Sequence, residues 1–254
     1  MSSSVLSERI QRIKPSPTLA ITAKAKQLKQ QGVDIIGLGA GEPDFDTPLH
    51  IKQAAITALN NGQTKYTAVD GTVELKSAIQ KRYKDLNLNY DLDQIVVSSG
   101  GKQGIYNLAL SILDKGDEVI IPAPYWVSYP DIIKIADAEP VIIDTNAKQK
   151  YKITSEQLEK AITPNTKLFI LNSPSNPSGQ MYSKSELLEF AKVLKKYPNI
   201  YILTDDIYEQ ITWSQEKFHN IAMVSPDLLD RIIILSGVSK AYSMTGWRIG
   251  YSLG

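Results

Sequence analysis

The sequence contains no cysteine, which excludes disulfide bridges and thiolate metal sites and fits a reducing compartment. It has only two histidines, His50 and His219, with no partner at ligand spacing, so a metal centre has no support and both read as surface polar residues. Charge of one sign is not in excess, since 28 basic residues face 27 acidic ones. No broad field draws nucleic acid, and any affinity for anions must be local. No apolar run approaches the ~18 residues of a membrane span, and the opening M-S-S-S-V-L-S-E-R-I lacks the apolar centre of a signal peptide. These absences predict a cytoplasmic protein without membrane or nucleic-acid partners.

What is present suits a folded α/β protein. Over 254 residues, 43% hydrophobic content is ample for a core. A polar arm leads through Lys14-Pro15-Ser16-Pro17 to a helix predicted from Thr18 to about Gln31, with Gly32 as its stop. Val33–Leu38 reads as a short buried strand and Pro48–Asn60 as a helix, with another helix at about Val73–Leu86. Further on, strands are expected at Gln94–Ser98, Asp117–Ile121, Pro140–Asp144, Lys167–Asn172, Ile200–Asp205 and Ile232–Leu235. Helices at about Gly104–Leu113, Ser155–Ile162 and Ser183–Leu194 separate several of them, the pattern of parallel βαβ units. No repeat, linker or low-complexity tract interrupts the series.

Several strand ends carry residues suited to chemistry. After Ile232–Leu235 comes S-G-V-S-K-A-Y-S-M-T-G-W-R-I-G, in which Lys240 lies where α/β sheets place ligands. A lysine is ordinarily a solvated surface residue. Here hydroxyl and glycine positions and Arg248 surround it, and a cationic neighbour or burial would make its amine nucleophilic. Asp205 and Tyr208 follow another apolar run, and Asn176 follows a third. Ser99-Gly100-Gly101-Lys102 joins a strand to a helix start, which makes an anion site from backbone N–H groups. As an isolated feature it is also an ordinary βα turn. Gly37, Gly39 and Gly41 give G-x-G-x-G rather than G-x-G-x-x-G, Pro43 obstructs the helix that a dinucleotide site needs, and no P-loop is present. A nucleotide-binding protein is therefore disfavoured.

Taken in order, G-E-P-D-F, Y-W-V-S-Y-P, N-S-P-S-N-P-S-G, D-D-I-Y and S-K-A-Y-S-M-T-G-W-R-I-G-Y resemble the class I, fold-type I aminotransferases that use pyridoxal 5'-phosphate (PLP), and among them the bacterial aspartate enzymes. The resemblance runs from about residue 10 to the last residue. It implies a fold-type I large domain with a mostly parallel sheet between helices, three layers in all. Residues 1–45 form an arm, helix and small-domain segment, and residues 46–254 form the PLP-binding domain. It also implies that Lys240 carries PLP covalently and moves the substrate proton. Asp205 faces the ring nitrogen, Asn176 and Tyr208 the phenolic oxygen, and Trp126 the ring face, although Trp126 also reads as a core aromatic. Gly101, Lys102, Arg248 and Ser239 hold the phosphate, with Ser236 a second candidate hydroxyl. Tyr66 reaches the cofactor of a second subunit in a homodimer. Gly41, Trp126 and Asn176 adjoin the substrate, and Lys102 and Thr18 face a distal carboxylate. Asp206 and Glu209 compete with Asp205 by position but are taken as solvated or structural.

The activity so implied is transfer of an amino group between an L-amino acid, foremost aspartate, and 2-oxoglutarate. An aromatic amino acid or prephenate aminotransferase, or an inert PLP-binding remnant, are the alternatives. Family members continue beyond the G-W-R-I-G-Y strand into a small domain that supplies an arginine for the substrate α-carboxylate. The sequence has no match to it, so the large domain reads as incomplete and the chain as C-terminally truncated, with poor solubility alone as the expectation.

Overall fold

A computed structural model describes residues 5–37, 39 and 41–254, the side chains of Pro17 and Leu19 excepted. In chain order its helices are α1 (Glu8–Gln11), α2 (Pro17–Gln30), α3 (Leu49–Asn60), α4 (Val73–Lys84), α5 (Gly101–Ile112), α6 (Ser128–Ile135), α7 (Ser155–Ala161), α8 (Lys184–Lys195) and α9 (Ile221–Val224). The strands are β1 (Ile95–Ser98), β2 (Glu118–Pro122), β3 (Glu139–Ile143), β4 (Thr166–Asn172), β5 (Tyr201–Asp205), β6 (Ile232–Gly237) and β7 (Gly250–Leu253).

The strands make one sheet in the order β1-β7-β6-β5-β4-β2-β3. Pairings from β6 through β3 are parallel, while β7 runs antiparallel to both β6 and β1. Strands buried on both faces need apolar residues at successive positions, and the period of two sends neighbours to opposite sides. Phe169 and Leu171 of β4 thus join the core shared with α4, α8 and α9, whereas Leu168 and Ile170 join the core under α5 and α6. β6 repeats the pattern, with Ile232 and Ile234 on the first side and Leu235 on the second. Three layers result, as the alternation of strands and helices predicts.

Local signals set most boundaries. Thr154 and Ser183 cap α7 and α8 with reciprocal capping boxes to Gln157 and Glu186. Gly32, at φ 81°, ends the turn after α2 in the left-handed region that glycine enters without strain. Two expectations need correction. Residues 33–37 are not a strand: they stand outside the seven-stranded sheet, and Val33 and Ile36 are exposed rather than packed into its core. Leu38 and Ala40 lie outside the described residues. The helix expected from Gly104 starts at Gly101, one turn earlier, with Gly100 as its N-cap at φ 81°. That earlier start brings the first-turn N–H groups of Gly101 and Lys102 to the end of β1. Among the described residues, no helix is long and apolar enough to cross a membrane.

Candidate active site

β4, β5 and β6 are parallel neighbours, so their carboxyl ends lie side by side and present Asn172, Asp205 and the segment after Gly237 at one edge of the sheet. The return from β6 to antiparallel β7 occupies residues 238–249 and carries Ser239, Lys240 and Arg248 over that edge. The cavity there has a volume of about 490 Å³. Thr18, Gly41, Gly101, Lys102, Trp126, Asn176, Asp205, Tyr208, Ser239, Lys240 and Arg248 all line it. Tyr66 does not; its side chain is fully exposed. Ser236 is buried at 1% exposure and pairs in register with Tyr251, away from the cavity lining.

Asp205 is buried, at 4% exposure. Its Oδ2 accepts from the Tyr129 hydroxyl at 2.6 Å, its Oδ1 accepts from the Ile207 N–H at 3.3 Å, and its backbone carbonyl accepts from the Asn172 amide at 2.9 Å. Burial raises its pKa to about 6, against the two hydrogen bonds to its carboxylate, which pull it down. Among the described residues no basic side chain forms an ion pair with it. Lys240 is half-buried and donates to the Gly41 carbonyl. Burial lowers its pKa, Glu42 opposes this, and the charge of Arg248 adds a smaller lowering. Its ammonium also lies 5.9 Å from the centre of the Tyr208 ring. The Tyr208 hydroxyl accepts from the Asn176 amide at 3.3 Å, and burial together with Asp205 raises its pKa.

On the opposite side, the Lys102 ammonium stands 4.9 Å from the Trp126 ring centre, and Trp126 meets Tyr129 edge to face at 5.4 Å. Arg248 has a left-handed backbone, φ 59°, unusual for a long side chain, and folds back to donate to Thr245 O at 2.9 Å and Ser99 O at 3.5 Å. A Cβ on Gly100 would overlap its guanidinium, so the missing side chain leaves room for an arginine beside the α5 N-terminus.

Asp206 and Glu209 were expected to be solvated or structural. Both are buried, and neither lines the cavity. Glu209 pairs with Arg82 at 2.5 Å, and Asp206 bonds to Thr204 and Asn220, so "structural" holds and "solvated" does not. The residue pattern points to Trp126 but passes over Tyr129 and Asn172. Tyr129 lies three residues after Trp126, one helical turn, in the same Y-W-V-S-Y-P segment. Asn172 ends β4 in direct register with Asp205.

A buried carboxylate without a cation, a partly desolvated amine, an indole in the cavity lining and a helix N-terminus beside a guanidinium suit an aromatic cation that carries a phosphate, and the residues present fit PLP. The chain belongs to the family described as aminotransferase class I and II, whose profile matches residues 33–254. It is 63% identical over 247 residues to an aspartate/prephenate aminotransferase of Nitrosomonas europaea, across 97% of this chain and 62% of that protein. A probable aspartate/prephenate aminotransferase of Rickettsia bellii is 56% identical, across 99% and 63%. Among solved structures, an aspartate aminotransferase from Rhizobium meliloti superimposes with TM-score 0.95 at 48% identity, covering 99% of this chain and 63% of that one. The Thermus thermophilus aspartate aminotransferase with maleate gives 0.94 at 41%, covering 99% and 65%. The chain thus spans about 62% of the length of the curated relatives it matches, and its fold is that of the aspartate aminotransferase large domain.

Proposed function

We propose that this chain is the PLP-binding part of a cytoplasmic aminotransferase that exchanges the amino group of L-aspartate with 2-oxoglutarate, its residues 1–45 belonging with a small-domain segment. The observation that carries the reading is the meeting of Lys240 and Asp205 in one cavity, from the ends of adjacent strands. When bound, PLP supplies a carbonyl conjugated to a pyridine ring, which withdraws electrons from the α-carbon of an amino acid.

The chain's own groups then have definite tasks. Lys240, whose pKa burial lowers, offers its amine to hold the cofactor and afterwards to take and return the α-proton. Asp205 keeps a proton on the ring nitrogen, and that charge in turn favours the ionised carboxylate, which burial alone disfavours. Tyr129 and the Ile207 N–H orient the carboxylate. Asn176 and Tyr208 serve the phenolic oxygen, and Trp126 fixes the plane of the ring. The N–H groups of Gly101 and Lys102, with Ser239 and Arg248, hold the phosphate. Lys102 and Thr18 face the distal carboxylate of an acidic substrate, and Gly41 adjoins its α-carboxylate. Tyr66 reaches the equivalent cavity of a second chain in a homodimer.

A second acceptor, prephenate, is favoured by the dual name of the relative at 63% identity. Both readings are tested by incubating the PLP-loaded chain with aspartate and either 2-oxoglutarate or prephenate. Oxaloacetate formation with an acceptor identifies the donor and the acceptor. A cofactor band that aspartate leaves unchanged, with no oxaloacetate, identifies a binding remnant instead.

A further inference from the structure

Directly behind Asp205, on the far side of β5 from the cavity, Asp206 is completely buried. Its backbone N–H donates to Leu235 O at 2.8 Å and its carbonyl accepts from Glu209 N at 2.9 Å, so it pins both ends of the turn that carries Tyr208. Its carboxyl oxygens have one partner each: Oδ1 lies 2.6 Å from Thr204 Oγ1, and Oδ2 lies 2.6 Å from Asn220 Nδ2. The orientation of Asn220 is fixed independently. Asn220 caps α9, its Oδ1 accepting from Met223 N at 2.9 Å, so its Nδ2 must be the atom that donates to Asp206. Oδ2 is therefore an acceptor, and Oδ1 is the oxygen that can carry a proton, with the Thr204 hydroxyl, which would donate to an ionised carboxylate, turned to accept from it.

We infer that Asp206 is a neutral carboxylic acid in the folded chain, a hydrogen-bonding strut that positions the Asp205–Tyr208 turn and leaves Asp205 the one ionisable carboxylate exposed to the cavity. The groups that face it make the alternative costly. Asp205 and Glu209 of its own turn are acids, and Arg82 of α4 is engaged by Glu209. Tyr83 of α4 and Tyr90 in the following loop lie within reach of its charge, yet neither hydroxyl is bonded to it. Two anions on consecutive buried residues, with no cation for the second, would pay desolvation twice. Burial accordingly holds the Asp206 acid well above the usual carboxylate range, and the hydrogen bonds that Thr204 and Asn220 would donate to its ionised form offset this only in part.

The positioning role rests on the assignment of Asp205 to the cofactor ring; the protonation state does not. Asp206→Asn reproduces the donor and acceptor of a neutral acid. It is expected to fold with a denaturation midpoint at pH 7 above that of wild type, because asparagine needs no proton uptake to enter the fold, and to bind PLP within about threefold of wild type, whereas Asp206→Ala weakens PLP at least tenfold. On the ligand-free chain at pH 7, infrared difference spectra between wild type and Asp206→Asn should show loss of one protonated-carboxyl carbonyl band. Folding of the variant should take up about one proton fewer. Absence of that band from wild type, or failure of Asp206→Asn to fold, overturns the inference. A chain that binds no PLP at all would refute the cofactor reading and leave the infrared and proton-uptake results standing.

Discussion

Burial pushes two ionisable residues of the cavity toward neutrality from opposite sides, the Lys240 amine downward and the Asp205 acid upward to about 6. For Asp205 the sign follows from linkage. The folded chain holds the proton more tightly than the unfolded one, whose carboxyl titrates near 3.8. The stability this group contributes is greatest below pH 4 and is lost as pH rises through 6. Asp205→Asn should therefore stabilise the ligand-free chain by roughly 1–3 kcal/mol at pH 7.5 and by much less at pH 5. Urea unfolding at the two pH values measures the difference, and equal effects at both would contradict it. The same substitution should cut turnover at least a hundredfold in any loaded enzyme. Lys240, Asp205, Tyr208 and Asn176 were legible from the sequence because each follows an apolar strand and each has a residue type the chemistry requires. Tyr129 was not, since a tyrosine in an amphipathic helix looks the same whether it fills the core or, as here, bonds to a carboxylate 76 positions away.

At the scale of elements, the β1 to α5 junction is built on the absence of side chains. Gly100 is left-handed and abuts Arg248, while a Cβ on Gly250 would strike the backbone of Gly100 and Gly101. The first obstacle is the movable end of an arginine and the second is rigid. Gly100→Ala is expected to cost only about 1–2 kcal/mol of stability but to weaken phosphate and PLP binding about tenfold, because it displaces Arg248 from the helix start. Gly250→Ala should cost more stability, about 3 kcal/mol, through overpacking. Thermal unfolding with and without PLP separates the two, and a Gly100→Ala chain with wild-type affinity would count against the phosphate assignment. The strands were readable because double-sided burial demands continuous β-branched and aliphatic runs. The same rule misread residues 33–37, an apolar run that stands outside the sheet with Val33 and Ile36 exposed. It also could not place the start of α5, which depends on the left-handed conformation of Gly100 rather than on any side-chain pattern.

At the scale of the molecule, large apolar residues stand in water along α3, α4 and the segment between them, including Leu59 at 62% exposure and Val69 at 102%. Tyr66, at 107%, lies among them in sequence. A surface of this kind suits an interface, and the proposed homodimer would cover it. Sedimentation should give a dimer whose PLP affinity falls about tenfold in Tyr66→Phe, and a monomer with full affinity would contradict the shared site.

Attachment of the cofactor tests the central claim most directly. The chain loaded with PLP, reduced with borohydride, digested and examined by mass spectrometry should carry the phosphopyridoxyl group on Lys240, and Lys240→Ala should carry none. Label on another lysine, or PLP that stays bound yet cannot be fixed to the chain, would contradict it.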